Sequence, residues 1–448
     1  MPDAGGSATA MPTASAVPKL GLWPGIGLVI SNMIGAGVFL SAGFMAQDLT
    51  PAQVLEAWLV GALLALCGAT AYAEVARRVP RSGGEYRYLT ELMHPALGYL
   101  AGWASLLVGF SAPLVVDALA AGSFAHALGI PLSPRVFGGI AVIALTAVHA
   151  AQLSASRWTQ NVLAALKALL MLGFLAVGLV AGQHAWPTWQ PPHLSATFPM
   201  AAFATNLFWV GFAFSGWNAA IYASEEFEHP TRDVPRAMLL GCSLVGVLYL
   251  AVNWVFVANL VPDQAIGVAR YDSDQVTLGH MVMGRLIGPS GATVMSVVIL
   301  LLLLSAMSAM TYTGPRVYAA MAGDGFLPRA LIAKAGRPPV GSLLVQCALA
   351  LLLIATHSIQ EVLQNVGAVL TLFAALTVLG LFRERFAPRG RPAPPLVSLL
   401  AAGFYVLVAV WMLYFGFSGK THLLPWVGGV AAVALVAYAL TGKRTAAP

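Results

Sequence analysis

The chain has 448 residues, of which 59% are hydrophobic and only 9% charged, with a mean hydropathy of +0.80 and a formal net charge of +6. A soluble domain carries about 25% charged residues, so water is excluded as the main solvent and the chain reads as an all-α integral membrane protein. Nucleic acid is not implied by the positive charge, because the cations segregate by loop.

Residues 1–18 are rich in Ala, Ser, Gly and Pro and lack both a basic n-region and an apolar stretch, so they predict a disordered cytoplasmic tail and not a signal peptide. Apolar runs of about 20 residues bounded by charge, Pro or polar loops then predict twelve spans, near 22–45, 54–76, 86–127, 134–152, 158–182, 198–226, 235–260, 285–321, 340–356, 358–380, 394–415 and 423–441. The third and eighth are long enough to be either a steeply tilted helix or a span plus an interfacial turn. The longest links are 183–195, with Trp186, Pro187, Trp189, Pro191 and Pro192, and 263–274. A link rich in Trp and Pro suits the headgroup level of a bilayer. Residues 442–448 form a C-terminal tail.

Lysine and arginine set the orientation. With the N-terminus in the cytoplasm, eighteen of the 23 cations, from Lys19 to Arg444, fall in inside segments. Four fall outside (Arg135, Arg270, Arg285 and Lys420), and Lys167 lies within a span. This follows the positive-inside rule for an even number of spans with both termini cytoplasmic, and the expected location is the plasma (cell inner) membrane. Cys67, Cys242 and Cys347 all fall in predicted helices as small packing residues, so no disulfide framework is implied.

Two spans carry a polar, glycine-rich interruption: Ser31-Asn32-Met33-Ile34-Gly35-Ala36-Gly37 in the first, and Gly211-Phe212-Ala213-Phe214-Ser215-Gly216-Trp217-Asn218 in the sixth. Unpaired backbone groups cost several kcal/mol each in hydrocarbon, so such breaks survive only inside protein or beside a cavity. Their positions divide the chain into five spans (19–182), five more (198–380) and two trailing ones (394–441). An odd number of helices inserts the second unit upside down, the inverted-repeat plan in which a transporter's substrate lies between discontinuous helices 1 and 6. The N–H groups of Gly35, Ala36 and Gly37 at the positive end of a half-helix suit a carboxylate. Carbonyls of Met33, Phe212, Ala213 and Ser215 suit an ammonium. An α-amino acid carries both charges on one carbon.

These motifs resemble the amino acid-polyamine-organocation superfamily, and especially its L-amino-acid transporter branch. Gly25 to Phe39 is similar to its first helix; Tyr72-Ala73-Glu74 with Pro80-Arg81-Ser82-Gly83-Gly84-Glu85-Tyr86 to its second loop; Phe212 to Asn218 with Glu225 to Ala237 to its sixth helix and cytoplasmic exit. Arg316-Val317-Tyr318-Ala319, Asp324 to Pro328 and Pro338-Pro339-Val340 resemble its eighth helix and the loop that follows. The resemblance implies a leucine-transporter-type fold, alternating access and backbone contacts to substrate at Met33, Gly35, Ala36, Gly37, Phe212, Ala213 and Ser215. Where many relatives have Ser between the two glycines, this chain has Ala36.

Lys167 lies about ten residues, roughly 15 Å, from the cytoplasmic end of its span, too deep for its stem to reach water easily. The resemblance implies a stand-in for the sodium ion of coupled relatives, bridging carbonyls of the first helix and the hydroxyl of Ser305 or Ser308; alternatively it cycles a proton. Glu225 and Glu226 are either an inner gate paired with loop arginines or solvated helix-end charge. Asp117 is either a partner for Lys167 or for a cationic substrate, or a residue near the outer surface. Asn206, Asn218 and Asn253 suit interhelical hydrogen bonds. The histidines show no metal-ligand spacing, no constellation supports an enzyme, and no cofactor or metal is expected.

Neither break contains a carboxylate, nor does Leu301 to Met310 opposite, so an apolar pocket favours neutral substrates. Met33, Phe212 and Phe214 narrow it and Gly109 widens it. The expected function is sodium-independent exchange of neutral L-amino acids; proton-coupled uptake and polyamine or cationic amino-acid transport are the alternatives. Relatives in this branch attach to a heavy chain through a cysteine between the third and fourth helices. Gly129 to Arg135 has none, so the expected partners are a small amino acid and membrane lipid, without a disulfide-linked heavy chain.

Overall fold

A computed structural model describes residues 20–151, 153–191, 197–260, 278–333, 337–357, 359–387, 390–419 and 423–441. The tails expected at 1–18 and 442–448 and the link at 263–274 lie outside the described residues. Within them every extended element is helical, and the one β contact is an isolated bridge between Leu20 and Phe227. Among the described residues seven helices are long and apolar enough to cross a membrane, or eight if the pair Leu22–Met33 and Gly37–Met45, bent by 40°, is one span.

The first span is two helices, α1 (Leu22–Met33) and α2 (Ala36–Met45). α3 (Pro51–Arg78) starts earlier than hydropathy suggests because Thr50 and Gln53 form a reciprocal capping box with Pro51 at the first helical position. The predicted third span, 86–127, divides. Its first part is a short amphipathic helix, α4 (Glu85–Leu92), ended by Met93, and His94 Nδ1 then caps α5 (Pro95–Ala104) by accepting from the Ala96 N–H. A π-helical turn over Ser105–Gly109 leads into α6 (Ser111–Ala127). Pro113 has no N–H to give the Gly109 carbonyl, and its ring crowds that group, which accounts for the widened turn one step earlier.

α7 (Pro134–Ala151) and α8 (Leu153–Ala181) follow; α9 (Met200–Ala213) and the single turn α10 (Ala219–Tyr222) form the sixth span, and α11 (Pro230–Asn259) the next. α12 (Leu278–Gly323) begins before the expected residue 285, since an extra segment joins at a kink where Gly288 adopts φ +79° ahead of Pro289. α13 (Val340–Thr356), α14 (Ile359–Phe386), α15 (Leu396–Gly419) and α16 (Leu423–Thr441) complete the chain.

Burial sorts these helices into centre and rim. Of the most apolar window in Pro95–Ala127, 83% is buried, against 22% for Pro134–Ala151 and 33% for Leu396–Ser418. The rim helices turn Val136, Ile140, Ile143, Leu400 and Leu407 outward, a contiguous apolar exterior suited to lipid and not to water. At the centre, α3 packs on α11, α6 on α12 and α7, and α1 on α11. The Trp-rich link is anchored by Trp189, whose indole N–H donates to the Val257 carbonyl at 2.8 Å.

Candidate functional site

The first break is an extended pair, Ile34 (ψ 102°) and Gly35 (φ −142°), between α1 and α2. In the second, α9 stops at Ala213, and residues 214–218 turn through Gly216 at φ +99°, a left-handed conformation suited to glycine. The two breaks touch. A Cβ on Gly216 would stand 2.7 Å from the Asn32 carbonyl oxygen, and one on Gly37 would stand 2.6 Å from Ala213 Cα. Neither position has room for a side chain.

Side chains from three other helices converge on the first break. Lys167 of α8 is buried, 1% exposed, and its ammonium donates to the Ser31 carbonyl at 2.7 Å. Tyr249 of α11 sets its hydroxyl 2.7 Å from the Met33 carbonyl and 3.1 Å from that of Ala213, so one O–H is shared between the two broken helices. Asp117 of α6 is buried, and its carboxylate would be 3.5 Å from a Cβ on Gly35. Of the readings left open for Asp117, the one near the outer surface does not hold, because the side chain is buried beside the first break. Its charge also acts on Lys167.

Among the described residues neither serine expected beside Lys167 hydrogen-bonds to it. Ser308 Oγ lies 2.9 Å from His149 Nε2 of α7, a ring stacked edge-on against Tyr312. The Ser305 hydroxyl is buried and has no hydrogen-bond partner among the described residues. Lys167 is thus tied to the first helix, while Ser308 is tied to α7.

A cavity of about 90 Å³ lies against the second break. Its wall includes Asn32, Phe214, Ser215, Gly216, Trp217 and Asn218, faced by Ser105, Gly109 and Phe110 from the π-helical turn and by Glu85. Of the expected contact residues Ser215 is in this wall. Met33, Gly35, Gly37, Phe212 and Ala213 are not, and the side chain of Ala36 lies outside the described part of the molecule. Two expected ammonium acceptors, the Met33 and Ala213 carbonyls, hold Tyr249, and the Phe212 carbonyl accepts from the Ser215 N–H at 2.9 Å. The Ser215 carbonyl has no hydrogen-bond partner among the described residues. Phe214 narrows the cavity and Gly109 widens it, whereas Met33 and Phe212 pack elsewhere.

Neither Glu225 nor Glu226 takes part in an ion pair among the described residues. The Glu225 N–H donates to Ser82 Oγ at 3.1 Å, and the Glu226 carbonyl accepts from the Leu20 N–H at 2.8 Å. The ion pair across this end is Arg87–Asp324 at 2.6 Å, joined by Tyr86, whose hydroxyl donates to the same carboxylate oxygen at 2.8 Å. Burial, and then the Asp324 charge, push the Tyr86 phenol well above its ordinary range, so it stays a donor. Among the described residues no group of three His, Cys, Asp or Glu stands where it would hold a metal ion.

Sequence comparison agrees with this architecture. The profile of the amino acid permease family matches residues 20–436. The chain is 27% identical over 415 residues to the large neutral amino acids transporter small subunit 2 of Mus musculus, covering 89% of this chain and 76% of that protein. It is 25% identical over 446 residues to the Asc-type amino acid transporter 1 of Mus musculus, covering 93% and 79%. To the b(0,+)-type amino acid transporter 1 of the same species it is 24% identical over 415 residues, covering 90% and 84%.

Proposed function

The chain belongs to the amino acid permease family, and on that basis we propose that it exchanges neutral L-amino acids by alternating access, without sodium. Amino-acid transport itself follows from the family; the finer reading rests on the site. The observation that carries it is Lys167: a buried ammonium bonded to the Ser31 carbonyl beside the first break supplies from the chain the positive charge that a coupled transporter takes from a cation. Glu85 brings to the cavity wall a carboxylate that the neutral-substrate expectation did not include, and its oxygens are bonded by Tyr72, Asn218 and Tyr222.

The substrate's ammonium is assigned to the open Ser215 carbonyl, and its carboxylate to the N–H groups of Gly35, Ala36 and Gly37 at the start of α2, a seat reached when the first break shifts. Twelve spans in a five-plus-five inverted repeat, with two trailing helices and both termini cytoplasmic in the plasma membrane, support this plan through the matched breaks and the cation count. One relative's name calls it a small subunit. Cys67, Cys242 and Cys347 of this chain lie in α3, α11 and α13, and on that ground it is proposed to work without a disulfide-linked partner. A second reading, proton-coupled uptake, is favoured by Asp117, which brings a titratable carboxylate to the same break as Lys167.

Uptake of a panel of labelled amino acids into proteoliposomes, with and without internal substrate, sodium or a pH gradient, separates these readings. Neutral amino acids stimulated by internal substrate are expected. Stimulation by sodium would remove the role given to Lys167, and stimulation by an inward proton gradient alone would favour the second reading.

A further inference from the structure

Among the described residues the cavity wall contains one carboxylate, that of Glu85, the first residue of α4. It is buried, and donors reach it from two sides. Tyr72 Oη of α3 lies 3.2 Å and Asn218 Nδ2 2.6 Å from one oxygen; Tyr222 Oη of α10 lies 2.8 Å from the other. Asn218 closes the ring by donating to Tyr222 Oη at 3.0 Å. No lysine or arginine pairs with Glu85 among the described residues, so the buried charge is held by these three donors alone, and losing them without water would strand it.

The backbone is shaped to make this ring. Gly83 (φ +131°) and Gly84 (φ +69°) turn the chain through conformations that other residues rarely adopt, and a Cβ on Gly84 would stand 2.2 Å from Tyr222 Cε1. The Ser82-Gly83-Gly84-Glu85 turn is therefore a seat for the Tyr222 ring. A second layer lies outside it. The Glu225 N–H is held by Ser82, Arg87 by Asp324, and Leu20, two residues before α1, exchanges backbone hydrogen bonds with Glu226 and Glu228.

We propose that the ring of Tyr72, Glu85, Asn218 and Tyr222 is the cytoplasmic gate of the transport cycle, with Glu85 as its positioning residue. While the ring is closed, the segment after the second break is pinned to α3 and α4, and the cavity is sealed on the arginine-rich side. Opening to the cytoplasm exchanges the three bonds to Glu85 for bonds to water. The gate rests on the transport reading of the cavity and on its orientation, and it assigns no substrate contact to Glu85.

The test uses the full chain in membrane vesicles, with Cys67, Cys242 and Cys347 replaced by Ala and Ala219→Cys as a reporter in the cavity wall. A membrane-impermeant maleimide is applied from either face. Glu85→Gln removes the charge that makes this acceptor strong, and Tyr222→Phe removes a single donor and keeps the charge. Labelling from the cytoplasmic face is expected to rise about fivefold in the first and about twofold to threefold in the second, with labelling from the outer face unchanged. An equal rise from both faces would mean general loosening and would overturn the gate, as would unchanged labelling in both variants. Because labelling needs no substrate, an error in the substrate assignment appears in the uptake panel and leaves this result standing.

Discussion

The two breaks are alike in sequence and opposite in situation. The first is gripped from outside: Lys167 holds the Ser31 carbonyl, Tyr249 holds that of Met33, and Asp117 stands beside Gly35. The second is open on one side, with Ser215, Gly216, Trp217 and Asn218 lining the cavity. A glycine-rich break in a membrane helix therefore does not by itself name a contact surface. What matters is which groups have already taken the freed backbone. On the proposed transport reading the first break is the part that is moved and the second the part that first meets substrate; Tyr249, bonded to both, links the two.

Variants can break this division, beginning with the largest effect. Gly37→Leu would drive a side chain into Ala213, where even a Cβ meets backbone at 2.6 Å. A cost of about 3 kcal/mol and exchange at background are expected in proteoliposomes, together with a lower melting temperature. Tyr249→Phe keeps the ring and removes the shared O–H, at a cost of about 1–3 kcal/mol. Exchange is expected to slow about tenfold, with substrate affinity nearly unchanged, since neither carbonyl it releases faces the cavity. Ser308→Ala takes a partner from His149 at a cost of about 1 kcal/mol, and exchange should stay within about threefold of the parent. A larger loss would return Ser308 to the cation site.

Much of this was legible in the chain because bilayer physics punishes exceptions. Two glycine-rich interruptions and one lysine in otherwise apolar spans stand out, and the structure places both breaks in contact and ties Lys167 to the first. Tyr249 was not legible, since an aromatic in an apolar helix has no pattern that distinguishes a hydrogen-bonding role from packing. Glu85 was hidden by its neighbours: α4 merges by hydropathy with the span after it, and only Met93 and His94 separate the two. The choice between the readings of Asp117 was not legible, because hydropathy gives the ends of a span and not which of its residues meets the break at Gly35. The π-helical turn had a readable cause in Pro113, but hydropathy does not register it.

Lys167 gives the most direct measurement of the division between the breaks. Substrate dissociation constant and exchange rate are determined side by side for Lys167→Met, which keeps the stem and removes the charge. If the first break is the moving part, exchange falls more than tenfold while the dissociation constant stays within about threefold. A dissociation constant that weakens in step with the rate would contradict it, and would make Lys167 itself part of the substrate's contact surface.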